Sequence, residues 1–333
     1  MSRTDLPRFT AVTLLVMYAG LAVVMPPGAF FTGEEGIAWL QTRSIGRSLW
    51  TSLGVPNPGG DLDPDGEFLP DLLASVGGGQ ARARSSSALA LASSIPWAVA
   101  GGRALALVPM LSMALCLFAS VRLARRVIPA AADPRGAWAG IAGAACVVAT
   151  PLIFYGAIPL GYAPAAALVT MAALPLLRAL EDGAAAPAWG RAFTGGLLLG
   201  AAAWFRPEAG FIVPSFLAAA ILARGAGPAM RLVPGVAAGL GLFLAPMTLH
   251  ARLTAGSWLP FGPADPETSA GSVFSPIEAA AGALLPAAAR PVLALLVMAV
   301  CVCTVPAVRR SLAGRRVARW LPVTGAATAA LLL

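Results

Sequence analysis

Two adjacent carboxylates, Glu34 and Glu35, stand in the stretch FFTGEEGIAWLQTRSIGR (Phe30–Arg47), directly after the first apolar run of the chain. Two arginines, Arg43 and Arg47, follow four residues apart, a spacing that puts them on one face of the short helix this stretch predicts. Paired acids where a chain leaves a bilayer, with cations close behind, suit chemistry on a lipid phosphate. A carboxylate can take a proton, and a planar guanidinium can hold phosphate oxygens. Thr32-Gly33-Glu34-Glu35 reads as a capping box, with Thr32 as N-cap and Glu35 reaching back to the backbone of Thr32. That leaves Glu34 as the freer carboxylate and the candidate general base. The plainer reading of both acids is that they start a helix whose dipole favours them there.

Further along, AAAWFRPEAGF places Arg206 between two apolar runs, followed by Pro207 and Glu208. Pro suits the first turn of a helix, and Glu208 suits the same end. Arg206 is a candidate phosphate holder with Glu208 in support; the plainer reading is an Arg–Glu turn that satisfies itself. For Arg43 and Arg47 the plainer reading is snorkelling to lipid headgroups. Asp61-x-Asp63-x-Asp65-Gly66 begins like a calcium loop, but Leu72 occupies the twelfth position where a bidentate Glu is needed, so an ordered Pro-bounded loop is expected instead. His250 is the single histidine and is expected to support the site, since alone it makes no metal cluster. Cys116, Cys146, Cys301 and Cys303 lie inside apolar runs, as packing residues do, and Cys301-Val-Cys303 has neither redox nor zinc spacing. No metal site and no cofactor are expected. Nor is there a phosphate-binding glycine loop after a strand, or a nucleophile triad.

The elements that must position these residues are membrane helices. The 333-residue chain is 58% hydrophobic and only 11% charged, which excludes an ordinary soluble domain and makes its length a count of spans. An all-α polytopic fold follows, a single transmembrane domain over 1–333 with about nine spans. The first runs from about Phe9 to Met25, uncleaved and closed by Pro26-Pro27. Others are expected at about Ala104–Val121, Ala137–Tyr155, Tyr162–Leu177, Ala192–Phe205, Phe211–Ala223, Leu232–Leu249, Val292–Val308 and Trp320–Leu333. Residues 28–102 form a long first outer loop with interfacial helices. In it Ser86–Ala100 is apolar but short of the roughly 20 residues a spanning helix needs. Abundant Gly and Ala inside the spans let helices approach closely.

Every basic side chain is Arg, and the net charge is +8. With the N-terminus in the cytoplasm and Ser86–Ala100 not spanning, Arg122, Arg125, Arg126 and Arg135 fall on the cytoplasmic side with most other arginines. The acids there are only Asp5, Asp133, Glu181 and Asp182. The positive-inside rule thus supports this layout and explains the positive charge without nucleic acid. The Glu34 loop, the Arg206 turn and the segment from His250 to Pro263 then share the outer face, where charges at helix ends face a cavity or one another. The compact loops fit a bacterial inner membrane. The chain stops on Leu331-Leu332-Leu333 with no polar tail, which reads as a chain cut short.

An acidic pair in the first outer loop, a helix and a Pro-rich loop, in that order, resemble the GT-C class of integral-membrane glycosyltransferases, such as the protein O-mannosyltransferases and aminoarabinose transferases of glycosyltransferase family 39. LVPMLSMALCLFASVRLARRV is similar to their second span, ATPLIFYGAIPLGYAPAAAL to the third and fourth, GGLLLGAAAWFRPEAGFIVP to an Arg-Pro-Glu helix pair, and HARLTAGSWLPFGPA to a later outer loop. The resemblance implies sugar transfer from a polyprenyl-phosphate donor to an acceptor hydroxyl at the outer face. A first-loop acid, commonly Asp of an Asp-Glu pair, is the base, and the matching position here is Glu34, one methylene longer. Arg206, with Arg43 or Arg47, would steady the departing phosphate, without metal and with inversion. Around Leu160-Gly161-Tyr162 the chain carries mostly small or apolar residues where the family carries aromatic and charged ones, so the acceptor (glycan, lipid or protein) stays open. Two other classes compete. A transporter or flippase would show paired repeats and broken helices at mid-membrane, and no internal repeat is seen. A non-catalytic assembly protein would keep the same scaffold without the reaction.

Overall fold

A computed structural model describes residues 6–24, 32–50, 52, 54–57, 73–77, 80–83, 87–128, 136–182 and 187–255. The Asp61–Gly66 loop, the spans expected at 292–308 and 320–333 and the Leu331–Leu333 end lie outside these. The described residues are mostly helical. In chain order the helices are α1 (Leu6–Val24), α2 (Gly33–Arg47), α3 (Ala88–Ala100), α4 (Leu107–Val127), α5 (Ala137–Val148), α6 (Leu152–Tyr155), α7 (Tyr162–Asp182), α8 (Pro187–Phe205), α9 (Ile212–Arg224), α10 (Ala226–Met230) and α11 (Val233–Ala255). Among the described residues, Leu107–Arg126, Tyr162–Glu181 and Ala226–Pro246 are long and apolar enough to cross a membrane. Leu107, Leu111, Leu115 and Phe118 form an exposed apolar stripe along α4, while Met110, Met113, Leu117 and Val121 are buried. A helix apolar on both faces belongs in lipid, where such a stripe needs no further cover. The protein is a helical membrane protein by these lengths and compositions.

The described residues sort into two compact units. The first contains α1 to α3, α4 as far as Val121, α5 from Gly140, α6, α7 as far as Ala167, and Trp204–Arg206. Its loop region holds more than helices: β1 (Val55–Pro56), β2 (Leu73–Gly77) and β3 (Gln80–Ala83) form a small antiparallel sheet in the order β1-β3-β2. This corrects the expectation of helices alone. Gly77 pairs with Gln80. Ile37 of α2 is buried with Leu73 and Ala81 of this sheet.

Helix α3 has 13 residues, as its short apolar run implies, and it lies against α2. Trp39 meets Trp97 edge to face with centroids 5.6 Å apart, and the Trp50 indole N–H donates to Ser94 Oγ at 2.6 Å. Leu49 and Trp50 both take positive φ, 51° and 63°, at the end of α2. Each non-glycine residue there costs roughly 1–2 kcal/mol. The Trp50 amide offsets part of this by donating to the Ile45 carbonyl at 3.0 Å, and the indole bond fixes the side chain.

The single span expected from Ala137 to Tyr155 is broken. α5 stops at Val148, and Pro151 precedes the one-turn α6. Proline has no amide hydrogen, and its ring disfavours a continuing helix. Thr150 donates back to the Cys146 carbonyl at 3.0 Å, and the buried Tyr18 hydroxyl of α1 donates to the Ile153 carbonyl at 2.7 Å. The break therefore leaves those carbonyls satisfied, as backbone in an apolar setting requires.

In the second unit Leu176 and Leu180 of α7, Leu199 of α8, Phe216 of α9 and Val236 of α11 share one core. Glycines set how closely α8 and α11 approach. A Cβ on Gly196 would run into the Val236 backbone, and one on Gly239 into the Phe193 backbone. At Gly200 the nearest atom would be the Leu240 carbonyl oxygen at 2.9 Å, and at Gly235 the Ala192 Cβ at 2.8 Å. Two helices each carrying small residues four apart approach backbone to backbone in this way. Gly239→Leu is expected to force them apart, costing at least the ~1–3 kcal/mol of an overpacked core. Gly241, with open space where a Cβ would stand, is expected to accept Ala. Thermal unfolding and the monodisperse yield after detergent extraction compare the two variants.

Candidate active site

Thr32 begins the site. Its side chain accepts from the Glu35 amide at 3.4 Å as the N-cap of α2, and its hydroxyl donates to Glu35 Oε1 at 3.2 Å. Glu35 is 1% exposed, so it is turned inward on cap duty, reaching the Thr32 hydroxyl. Glu34, at the second helical position, points elsewhere. Its Oε2 accepts from Arg206 Nη2 at 2.9 Å, a pairing across 172 residues of sequence. The Arg206 side chain is 17% exposed and that of Glu34 39%, so the cation is the more deeply held partner.

Arg206 follows directly on Phe205, the last residue of α8, and precedes the 3₁₀ turn Pro207–Phe211. Its guanidinium carbon stands 3.6 Å from the centroid of the Tyr162 ring, at the first position of α7. Tyr162 in turn stacks on Tyr155, the last residue of α6, with centroids 4.5 Å apart and planes at 28°. Gly161 makes this convergence possible, because a Cβ there would lie 2.7 Å from the Phe205 carbonyl oxygen. The start of α7 can meet the end of α8 only with glycine at that point. An electron-rich ring face under a cation adds attraction, the more so out of water. The result is a planar guanidinium, backed by two tyrosines, with an N–H turned to a half-exposed carboxylate.

Arg43 and Arg47 are not part of this cluster. They lie farther along α2, about 13 Å and 20 Å of helix rise from Glu34. Arg43 stands over the Trp39 ring at 5.3 Å, and Arg47 is exposed in the last turn, where its charge suits the helix dipole. The plainer reading of the Arg206 turn paired it with Glu208; Arg206 pairs with Glu34. Glu208 belongs to the second unit, and its Oε2 is buried with no hydrogen-bond partner among the described residues. His250 falls on α11, also in the second unit. Among the described residues no three His, Cys, Asp or Glu side chains form a group able to hold a metal ion.

Tyr155 and Tyr162 are the residues that sequence reasoning missed. Their signal was present in two aromatics bracketing Gly156-Ala157-Ile158-Pro159-Leu160-Gly161, a turn that brings both to helix ends.

Fold and site together define a class, a helical membrane protein with a carboxylate–guanidinium–tyrosine cluster gathered from helix ends. Compared with protein-family models, curated proteins and solved structures, the chain shows no significant match to any of them.

Proposed function

We propose that the protein is a GT-C-like polytopic membrane glycosyltransferase that moves a sugar from a polyprenyl-phosphate donor to an acceptor hydroxyl, acting at the outer face of a bacterial inner membrane. The observation that carries this reading is the 2.9 Å contact between Glu34 and Arg206, which brings a proton acceptor and an anion holder together from opposite parts of the sequence. Glu34 takes the proton of the acceptor hydroxyl, and that oxygen forms a bond to the anomeric carbon from the face opposite the phosphate. The bond from the anomeric carbon to the phosphate oxygen breaks, and its electron pair leaves with the lipid phosphate. Arg206 steadies the charge that develops there, the term that usually contributes most to such catalysis. A phosphate leaving group needs little protonation, so one base suffices, and the reaction proceeds with inversion and without metal.

The test is sugar transfer in membranes holding the full chain, with radiolabelled polyprenyl-phosphate sugars as donors. Label moving from the lipid fraction to an acceptor, with release of polyprenyl phosphate, supports the transferase. Label that stays on its lipid but changes leaflet supports a flippase. One observation also favours a second, non-catalytic reading: Glu34 and Arg206 satisfy each other, as a clasp joining α2 to the end of α8 would require.

Within the transferase reading, Tyr162→Leu is expected to raise the donor KM roughly 2–30-fold, the equivalent of about 0.5–2 kcal/mol for a cation over a ring face. Tyr162→Phe keeps the face and is expected to fall closer to wild type than Tyr162→Leu. Initial rates against donor concentration compare the two.

A further inference from the structure

Resting on the donor reading above, we propose that Arg206 latches the base: it occupies Glu34 while the site is empty, and the phosphate of the lipid donor frees Glu34 by taking its place on the guanidinium. Both assigned roles make demands on the same cation. Arg206 Nη2 lies 2.9 Å from Glu34 Oε2, so that carboxylate oxygen has a donor aimed at it and is not open to an acceptor hydroxyl. The two partners differ in freedom. Arg206 is 17% exposed and stands over the Tyr162 ring at 3.6 Å, with Tyr155 stacked on Tyr162. Glu34 is 39% exposed and stands on the first turn of α2, where its side chain can rotate toward water while the helix start stays capped by Thr32 and Glu35. The cation therefore stays in place and the carboxylate moves. A phosphate presents two oxygens to the guanidinium fork and matches its geometry as well as a carboxylate does.

The exchange orders the reaction. Without donor, Glu34 is engaged and water is not activated beside an empty site. With donor seated, the free carboxylate takes the acceptor proton. The neutral acid that results does not compete for Arg206. Once it returns the proton to water, the regained charge draws Glu34 back to the guanidinium and helps the polyprenyl phosphate leave.

The exchange predicts a chemical reactivity that needs no turnover. The full chain in maltoside detergent and phosphate-free buffer is treated with a water-soluble carbodiimide and an amine, and modified carboxylates are quantified by peptide mass spectrometry. Undecaprenyl phosphate is the probe, undecaprenol the phosphate-free control, and binding of radiolabelled probe is measured in parallel. Glu181, paired with Arg126 at 3.1 Å in the second unit, is the internal reference. Glu34 labelling relative to Glu181 is expected to rise severalfold with undecaprenyl phosphate and not with undecaprenol. In Arg206→Gln it is expected to be high with or without lipid. Arg206→Lys, which keeps the charge, serves if the Gln variant does not fold, and is expected to show labelling between the two. Probe that binds while Glu34 labelling stays constant overturns the exchange and leaves the donor reading standing. Probe that does not bind overturns the donor reading and the exchange with it.

Discussion

Glu34→Gln is expected to lower sugar transfer by on the order of 10²-fold or more, the usual contribution of a positioned general base. The loss should fall on kcat, because the side chain acts on the acceptor proton; donor KM should not rise, since a neutral amide competes less than the carboxylate for Arg206. The amide is nearly isosteric with the carboxylate, and its oxygen can still accept from Arg206 Nη2. The contact between α2 and the end of α8 is therefore kept in neutral form, and thermal unfolding of the variant should stay close to wild type. Glu35→Ala is the contrasting variant. Glu35 is 1% exposed and bonded to the Thr32 hydroxyl, so its removal weakens the start of α2. A lost cap costs about 1 kcal/mol, which appears as a lower unfolding temperature and a lower yield rather than as a change in rate per folded molecule. If Glu34→Gln transfers as fast as wild type, Glu34 is a helix-start acid only, and Glu35 and then Glu208 become the candidates for the base.

Local features were legible in the sequence, and features made by distant contacts were not. Thr32 and Glu35 follow from four consecutive residues, because a capping box is closed within one turn. The short α3 follows from the length of its apolar run. The break after Val148 was available too, in Thr150-Pro151, but continuous hydropathy concealed it, since a proline changes hydrogen bonding and not apolarity. The small sheet was hidden because LASVG and QARA show no alternation of apolar and polar residues strong enough to separate them from loop. The partner of Arg206 was left open between a self-satisfied Arg–Glu turn and a phosphate. Glu208 is two residues away and Glu34 is 172, and proximity in sequence favours the neighbour. The outcome depends on which surface the turn meets, and that depends on Gly161 letting the start of α7 reach Phe205.

Replacing Arg206 separates a phosphate holder from a structural clasp. Arg206→Gln is expected to lower kcat/KM by roughly 10²–10³-fold, the range seen when one donor to developing negative charge is removed. The effect should divide between donor KM and kcat, since the guanidinium meets the phosphate before and during bond breaking. Arg206→Lys keeps the charge but loses the planar fork that stands over Tyr162, so most of the loss should remain. Stability confuses both results, because either variant also alters the partner of Glu34. The exchanged pair Glu34→Arg with Arg206→Glu addresses this. Opposite charges still meet, now with the carboxylate on the tyrosine face and the guanidinium on the first turn of α2. A clasp needs only the pair, so the exchange should recover much of the unfolding temperature lost by each single charge reversal. Catalysis needs the acid at the helix start and the cation backed by Tyr162, so transfer should stay as low in the exchanged protein as in Arg206→Gln. If the exchange restores transfer together with stability, the two groups have no assigned sides, and a mechanism with Glu34 as base and Arg206 as phosphate holder is excluded.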